Sequence, residues 1–244
     1  MNFKKFTMDD QHAFADLSKD HNPIHIDPII ARRLIYGQPI VHGLNGLLWA
    51  LSEWAKKRDT SIQILKLNSK FLKPIILNEN VSFMIKMEKD SLVKLELLQL
   101  EAIVFKVTFE YKSCSDKNYL NSFALSESQI ALKIPNKLNE SDIIDQKGIV
   151  ELFLDKDKTK KIYGQHLLKI IGLQQISELI ALSRLVGMHV PGLNSILSEI
   201  EINRDYNSAL NKLIYQVESL NSRFHLINIS AQTPSFKIKI KTFV

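Results

Sequence analysis

The sequence predicts an α+β protein made of two successive units, each a largely apolar helix followed by an antiparallel sheet. Three observations carry this. The hydrophobic period changes from 3.6 to 2 after residue 57. A polar stretch from Ser113 to about Gly148 then interrupts the pattern. Beyond it the helix-then-strands order recurs, without a second copy of the polar loop near the start of the chain. The expected units are residues 1–115 and 149–244, joined by a linker over 116–148.

In chain order, Met8–Ser18 reads as a short helix, with Thr7 as N-cap and Asp9 and Asp10 in its first turn. Pro23 stops it, and Pro28 opens another short helix through Arg33 or Leu34, capped by Asp27. From Gly43 to about Lys57, Leu44, Leu47, Leu48, Leu51 and Ala55 recur at helical spacing. Strands follow at Ser61–Leu72, Val81–Met87, Val93–Leu97 and Ile103–Tyr111; a phase slip near Leu65 suggests a bulge in the first. In the second unit, Ile149–Leu154 is a candidate strand. Gln165–Val186 is an apolar helical stretch broken at Gly172, and Val190-Pro191-Gly192 turns the chain. Strands are expected at Ser195–Ile202, Leu213–Glu218, Phe224–Ser230 and Phe236–Val244.

Composition narrows the function classes. The 244 residues are 45% hydrophobic and 24% charged, which suits a soluble chain with a sizeable core. The single cysteine, Cys114, allows no internal disulfide and fits a reducing, cytoplasmic setting. No signal-peptide core opens the sequence, and no apolar run is long enough to span a bilayer. The net charge of +6 comes from scattered lysines with no nucleic-acid motif; it would suit an anionic substrate carrier, such as coenzyme A or an acidic carrier protein, while ordinary solvated lysines remain the simpler reading of any single one. No metal-ligand spacing is present, because His21 and His25 sit on a turn without an evident third ligand.

The chemistry concentrates in FADLSKDHNPIHIDPIIA, Phe14–Ala31. Asp20 and His25 share one short loop stiffened by Pro23. Residue types alone leave two readings open, an acid–base pair acting on one water or a polar turn. Phe14-Ala-Asp-Leu-Ser-Lys-Asp20-His-Asn22-Pro23-Ile-His25, with Ala31 six residues on, resembles the signature of MaoC-like, R-specific enoyl-CoA hydratases. Pro39-Ile-Val-His42-Gly43 resembles that family's entry into its central helix, and Phe71-Leu-Lys-Pro74 the start of its sheet. Leu182–Ile196 looks like the C-terminal half of fused members. Lys19 departs from the pattern, standing where the family has glycine.

The resemblance implies a double hotdog, two antiparallel sheets each wrapped around a long central helix, forming a pseudo-dimer within the chain that could pair further as a homodimer. It implies hydration of 2-enoyl thioesters, or dehydration of 3-hydroxyacyl thioesters, with Asp20 and His25 as the catalytic pair. Free N–H groups at the helix start make Gly43 the candidate oxyanion donor. Asn22 and His42 are expected to border the substrate, Asn22 organising the loop and His42 bonding backbone beside the helix. No cofactor or metal is expected; the acyl group arrives on coenzyme A or on the phosphopantetheine of an acyl-carrier protein. The competing reading is a non-catalytic acyl-thioester-binding protein or partner subunit, in which Lys19 marks lost chemistry.

Overall fold

The computed structural model describes residues 2–114, 134–206, 208 and 210–244. Strand β1 (Asn2–Lys5) leads into α1 (Met8–Ser18), whose Thr7 and Asp10 form a reciprocal capping box. Short helices α2 (Pro23–Ile26) and α3 (Pro28–Ala31) follow, each with proline in its first turn. The Asp27 carboxylate accepts from the N–H groups of Ile29 and Ile30, as an N-cap should. Next comes the central helix α4 (Gly43–Ala55), in which every residue after Gly43 is buried. Trp54 packs edge-on against Phe109 and Tyr111, and Trp49 does so against Phe6 and Phe83. Both tryptophans are therefore core residues.

Strands β2 (Ile62–Phe71), β3 (Asn80–Lys89), β4 (Leu92–Gln99) and β5 (Ala102–Ser113) complete the first unit. The register of β2 against β5 shifts between Ile64 and Lys66, which places a bulge at Leu65 where the phase slips. Residues 116–133 of the expected linker lie outside the described residues. After them come α5 (Glu140–Ile143) and β6 (Lys147–Val150). The expected strand over Ile149–Leu154 thus begins and ends earlier, because only Lys147–Val150 finds a partner strand.

Helix α6 (Lys156–Tyr163) was not foreseen; its four lysines mask the amphipathic pattern that buries Thr159 and Tyr163. Helices α7 (Gln165–Ile171) and α8 (Leu173–Arg184) meet at Gly172, whose φ of 84° suits glycine. Helix α8 runs into a π-helical turn at Leu185–His189. Strands β7 (Ile196–Arg204), β8 (Leu213–Asn221), β9 (Leu226–Gln232) and β10 (Phe236–Phe243) follow, and their partners are all antiparallel.

The two expected sheets are joined edge to edge. The strand order is β1-β3-β4-β5-β2-β7-β10-β9-β8-β6, and β2 pairs with β7 from Lys66↔Asn203 to Lys70↔Glu199. One ten-stranded antiparallel sheet therefore wraps both α4 and α8, and a single apolar core runs through the two halves. Polar contacts tie the halves as well. The Gln175 side chain on α8 accepts from the Ile64 N–H beside the β2 bulge, and the Tyr163 hydroxyl donates to Asn45 on α4. Among the described residues no single helix is long and apolar enough to cross a membrane.

Candidate active site

The site begins where α1 ends. Lys19 caps α1 in the left-handed region, with φ 60° and ψ 27°, and its N–H returns to the Ala15 carbonyl. That turn swings Asp20 inward. Its Oδ1 accepts from the Asn22 N–H at 3.2 Å, and its Oδ2 accepts from the Ser183 hydroxyl at 2.6 Å. Asp20 is 2% exposed. Burial pushes its carboxyl up to about 6, against the Ser183 and Asn22 hydrogen bonds and the positive charge of Arg184. The Lys19 ammonium is not among these influences.

His25 lies on α2, two residues after Pro23. Its Nδ1 sits 2.9 Å from the Ile40 carbonyl oxygen, which can only accept. Burial pulls the imidazole down to about 4, against that hydrogen bond, so the ring is neutral near pH 7 with its proton on Nδ1. Its Nε2 keeps a free lone pair. His42 stacks on this ring, centroids 3.9 Å apart. The His42 nitrogens face Gln11 Oε1 at 3.0 Å and the Asp20 carbonyl oxygen at 3.1 Å. Burial, then the neighbouring His25, pushes His42 well below the usual histidine range.

Asp20 and His25 line one cavity of about 170 Å³. Gly43 lies on the same wall, at the N-terminus of α4, where the N–H groups have no acceptor within the helix. The Phe71 ring packs where a side chain on residue 43 would start; a Cβ there would lie 2.9 Å from it. Phe105, Leu197 and Val186 make much of the remaining wall apolar. The sequence-expected trio of Asp20, His25 and Gly43 thus meets at one cavity.

Asn22 and His42 sit elsewhere. Neither belongs to the cavity wall. The Asn22 amide donates to the carbonyls of Gly192 at 2.8 Å and Gly187 at 3.2 Å, and its Oδ1 accepts from the Asn194 N–H. It pins the loop to the second half of the chain, while His42 supports the rings and backbone from behind. The ligand atoms of Asp20, His25 and His42 fall within 4.8 Å of one another. His42 is turned to Gln11 and to the Asp20 main chain rather than to the cavity.

Three residues of the second half escaped the sequence reading. Ser183 holds the Asp20 carboxylate, Arg184 places a positive charge near it, and Gly187 lets it fit: an added Cβ at 187 would overlap the carboxylate. The available signal was a serine and a glycine four residues apart within an otherwise apolar helical stretch.

With this geometry in place, similarity to known proteins becomes informative. Residues 2–102 match the family model of the MaoC like domain. A 41-residue stretch is 46% identical to the (R)-specific enoyl-CoA hydratase of Aeromonas caviae, covering 17% of this chain and 31% of that relative's length. A solved MaoC-like dehydratase superposes with a TM-score of 0.61 at 8% identity, over 99% of this chain and 95% of the other. A MaoC domain protein from Chloroflexus aurantiacus gives 0.54 at 9% identity, over 99% and 92%. The likeness in fold therefore extends through both halves, although the MaoC-like sequence match covers the first. Residues 2–102 thus resemble the MaoC like domain, and the chain as a whole shares the hotdog fold of these solved structures.

Proposed function

We propose that this MaoC-like protein is a hydro-lyase that reversibly hydrates 2-enoyl thioesters to (3R)-3-hydroxyacyl thioesters. One observation carries the reading: a buried carboxyl and a neutral imidazole with a free nitrogen share a small, largely apolar cavity with the first turn of a helix. A water held between Asp20 and His25 Nε2 loses a proton to the pair as its oxygen bonds to C3. The C2=C3 π electrons move toward the thioester carbonyl, and the pair returns one proton to C2. Two groups this close titrate as a unit. The Gly43 N–H and the helix terminus meet the negative charge that builds on the thioester oxygen. The reaction is redox-neutral and needs no electron carrier. Ser183 holds the Asp20 carboxylate in place, so each half of the chain contributes to one site, as in a pseudo-dimer. The acyl group enters on coenzyme A or a carrier protein, as either presents the same thioester.

The test follows enoyl-thioester absorbance with trans-2-enoyl-CoAs and carrier-bound substrates for wild type, Asp20→Asn and His25→Ala. Wild type is expected to turn over, and each variant to lose about 10²-fold or more in kcat while keeping its melting transition. Absence of turnover by wild type on either carrier would overturn the reading in favour of a binding protein.

A further inference from the structure

The cavity that holds Asp20 and His25 has a direction, and exposure reveals it. On its wall Asp20, His25 and Ser183 are buried, whereas Leu72 is 49% exposed, Phe243 is 38% exposed and Lys73 is exposed beside Leu72. The wall thus runs from a sealed floor at the carboxyl and imidazole to an open mouth at Leu72, Lys73 and Phe243.

The base of Lys73 is fixed at that mouth. The N–H groups of Leu72 and Lys73 both donate to the Val104 carbonyl on β5, at 2.9 and 3.1 Å. Pro74 follows, and the Ile75 carbonyl then accepts from the Val41 N–H at 2.9 Å, two residues before α4. The segment is therefore held between β5 and the start of α4. Among the described residues the Lys73 ammonium enters no ion pair. It is also the one lysine or arginine among the described residues of the wall, and the wall's carboxylate, Asp20, lies at the floor. The mouth thus carries a positive charge with no anion of the wall set against it.

The reaction read from this site supplies a matching anion. With its acyl end between Asp20, His25 and Gly43, a thioester sends its sulfur arm out through the mouth, because the floor is closed. On coenzyme A and on a carrier protein alike, that arm is a pantetheine ending in a phosphate. Leu72 and Phe243 offer the arm apolar contact, and an ammonium on a flexible stem offers the phosphate a charged donor.

We propose that Lys73 determines specificity for the carrier arm by binding the phosphate that ends the pantetheine. This rests on the hydro-lyase reading, which places the acyl end at the floor. A lysine that serves solubility alone would leave the binding of phosphate-bearing and phosphate-free thioesters equally unmoved.

The experiment is calorimetric titration with butyryl-CoA, butyryl-4′-phosphopantetheine and butyryl-pantetheine, saturated thioesters that cannot be hydrated. The proteins are wild type, Lys73→Gln, Lys73→Glu and Lys73→Arg, each checked for its melting transition. Lys73→Gln is expected to weaken both phosphate-bearing ligands about fivefold at low ionic strength, with Lys73→Glu weakening them further and Lys73→Arg restoring most of the loss. Added salt should shrink the difference, as it does for exposed charges. Butyryl-pantetheine should bind all four proteins alike. Unchanged binding of butyryl-4′-phosphopantetheine, or an equal loss on butyryl-pantetheine, would overturn the proposal; a loss confined to butyryl-CoA would place the lysine at the nucleotide and overturn it too. KM for enoyl-CoA and for a carrier-bound enoyl thioester distinguishes the two sources of the phosphate: the one with the lower wild-type KM should show the Lys73→Gln penalty, and its absence there would count against the assignment. Silence of wild type on every enoyl thioester would sink the hydro-lyase reading, while calorimetry still decides whether Lys73 holds the phosphate.

Discussion

Asp20 is pressed from one side by low polarity and from the other by donors and a cation, and its neighbours at 19 and 187 have opposite tolerances. Lys19 holds a left-handed backbone that a β-carbon disfavours by about 1–2 kcal/mol. Lys19→Gly should therefore stabilise the fold by up to about 1 kcal/mol, read as a higher midpoint in urea, with activity kept. A lower midpoint would show that the lysine side chain contributes more than its backbone costs. Gly187 has no such freedom, because the space a methyl would need is filled by the Asp20 carboxylate. Gly187→Ala should lower kcat/KM at least tenfold and destabilise by about 1–3 kcal/mol, as overpacked sites do. Unchanged kinetics would mean that the carboxylate can sit elsewhere. These residues also mark the limit of sequence reading. That Asp20 and His25 share one loop and that Gly43 opens a helix was legible because those placements are local; their roles came from the family resemblance. Ser183 meets Asp20 across 163 positions, and its own neighbours on α8 do not name a partner that far away.

Helix α8 contains a second buried carboxyl, remote in sequence from the loop. Glu178 accepts from the hydroxyls of Thr233 and Ser235 and from the Ser235 N–H, so it clamps the turn between β9 and β10 to the helix. Burial raises it to about 7 against those hydrogen bonds, from an ordinary value of 4.5. A carboxyl raised in the folded state binds its proton more tightly there than when unfolded. Its contribution is whole below pH 4.5 and is lost as pH rises through 7, by an amount on the order of 3 kcal/mol. Glu178→Gln should flatten that part of the stability–pH curve and melt higher than wild type at pH 8. An unaltered slope between pH 5 and 8 would contradict this. Among the elements, the β2 bulge and the Gly172 break were legible because a phase slip and a glycine are direct records of backbone geometry. Helix α6 was not, since lysines occupy its first and last turns and leave few apolar residues to set a period. Strand β1 is short and exposed along most of its length, so alternation had little to record.

At the scale of the whole molecule, β2–β7 pairing joins the sheets, and the loop at Asn22 is bonded to backbone and side chains near Gly187, Gly192 and Ser195. Neither half closes its own core or its own site. A fragment of residues 1–115 should therefore fail to melt cooperatively and should not turn over substrate; a sharp calorimetric transition for that fragment would argue against a shared core. The recurrence of a helix followed by strands was legible from the change of hydrophobic period. The union of two sheets into one was not, because edge pairing is made by main-chain groups common to every sequence.

The Ser183–Asp20 hydrogen bond joins the two halves of a single polypeptide, and mass action has no hold on an encounter of that kind. In a site built between separate subunits the hydroxyl would leave as the subunits part on dilution. Here the intervening chain keeps it at a fixed effective concentration, so specific activity should stay constant down to the lowest enzyme levels an assay can detect.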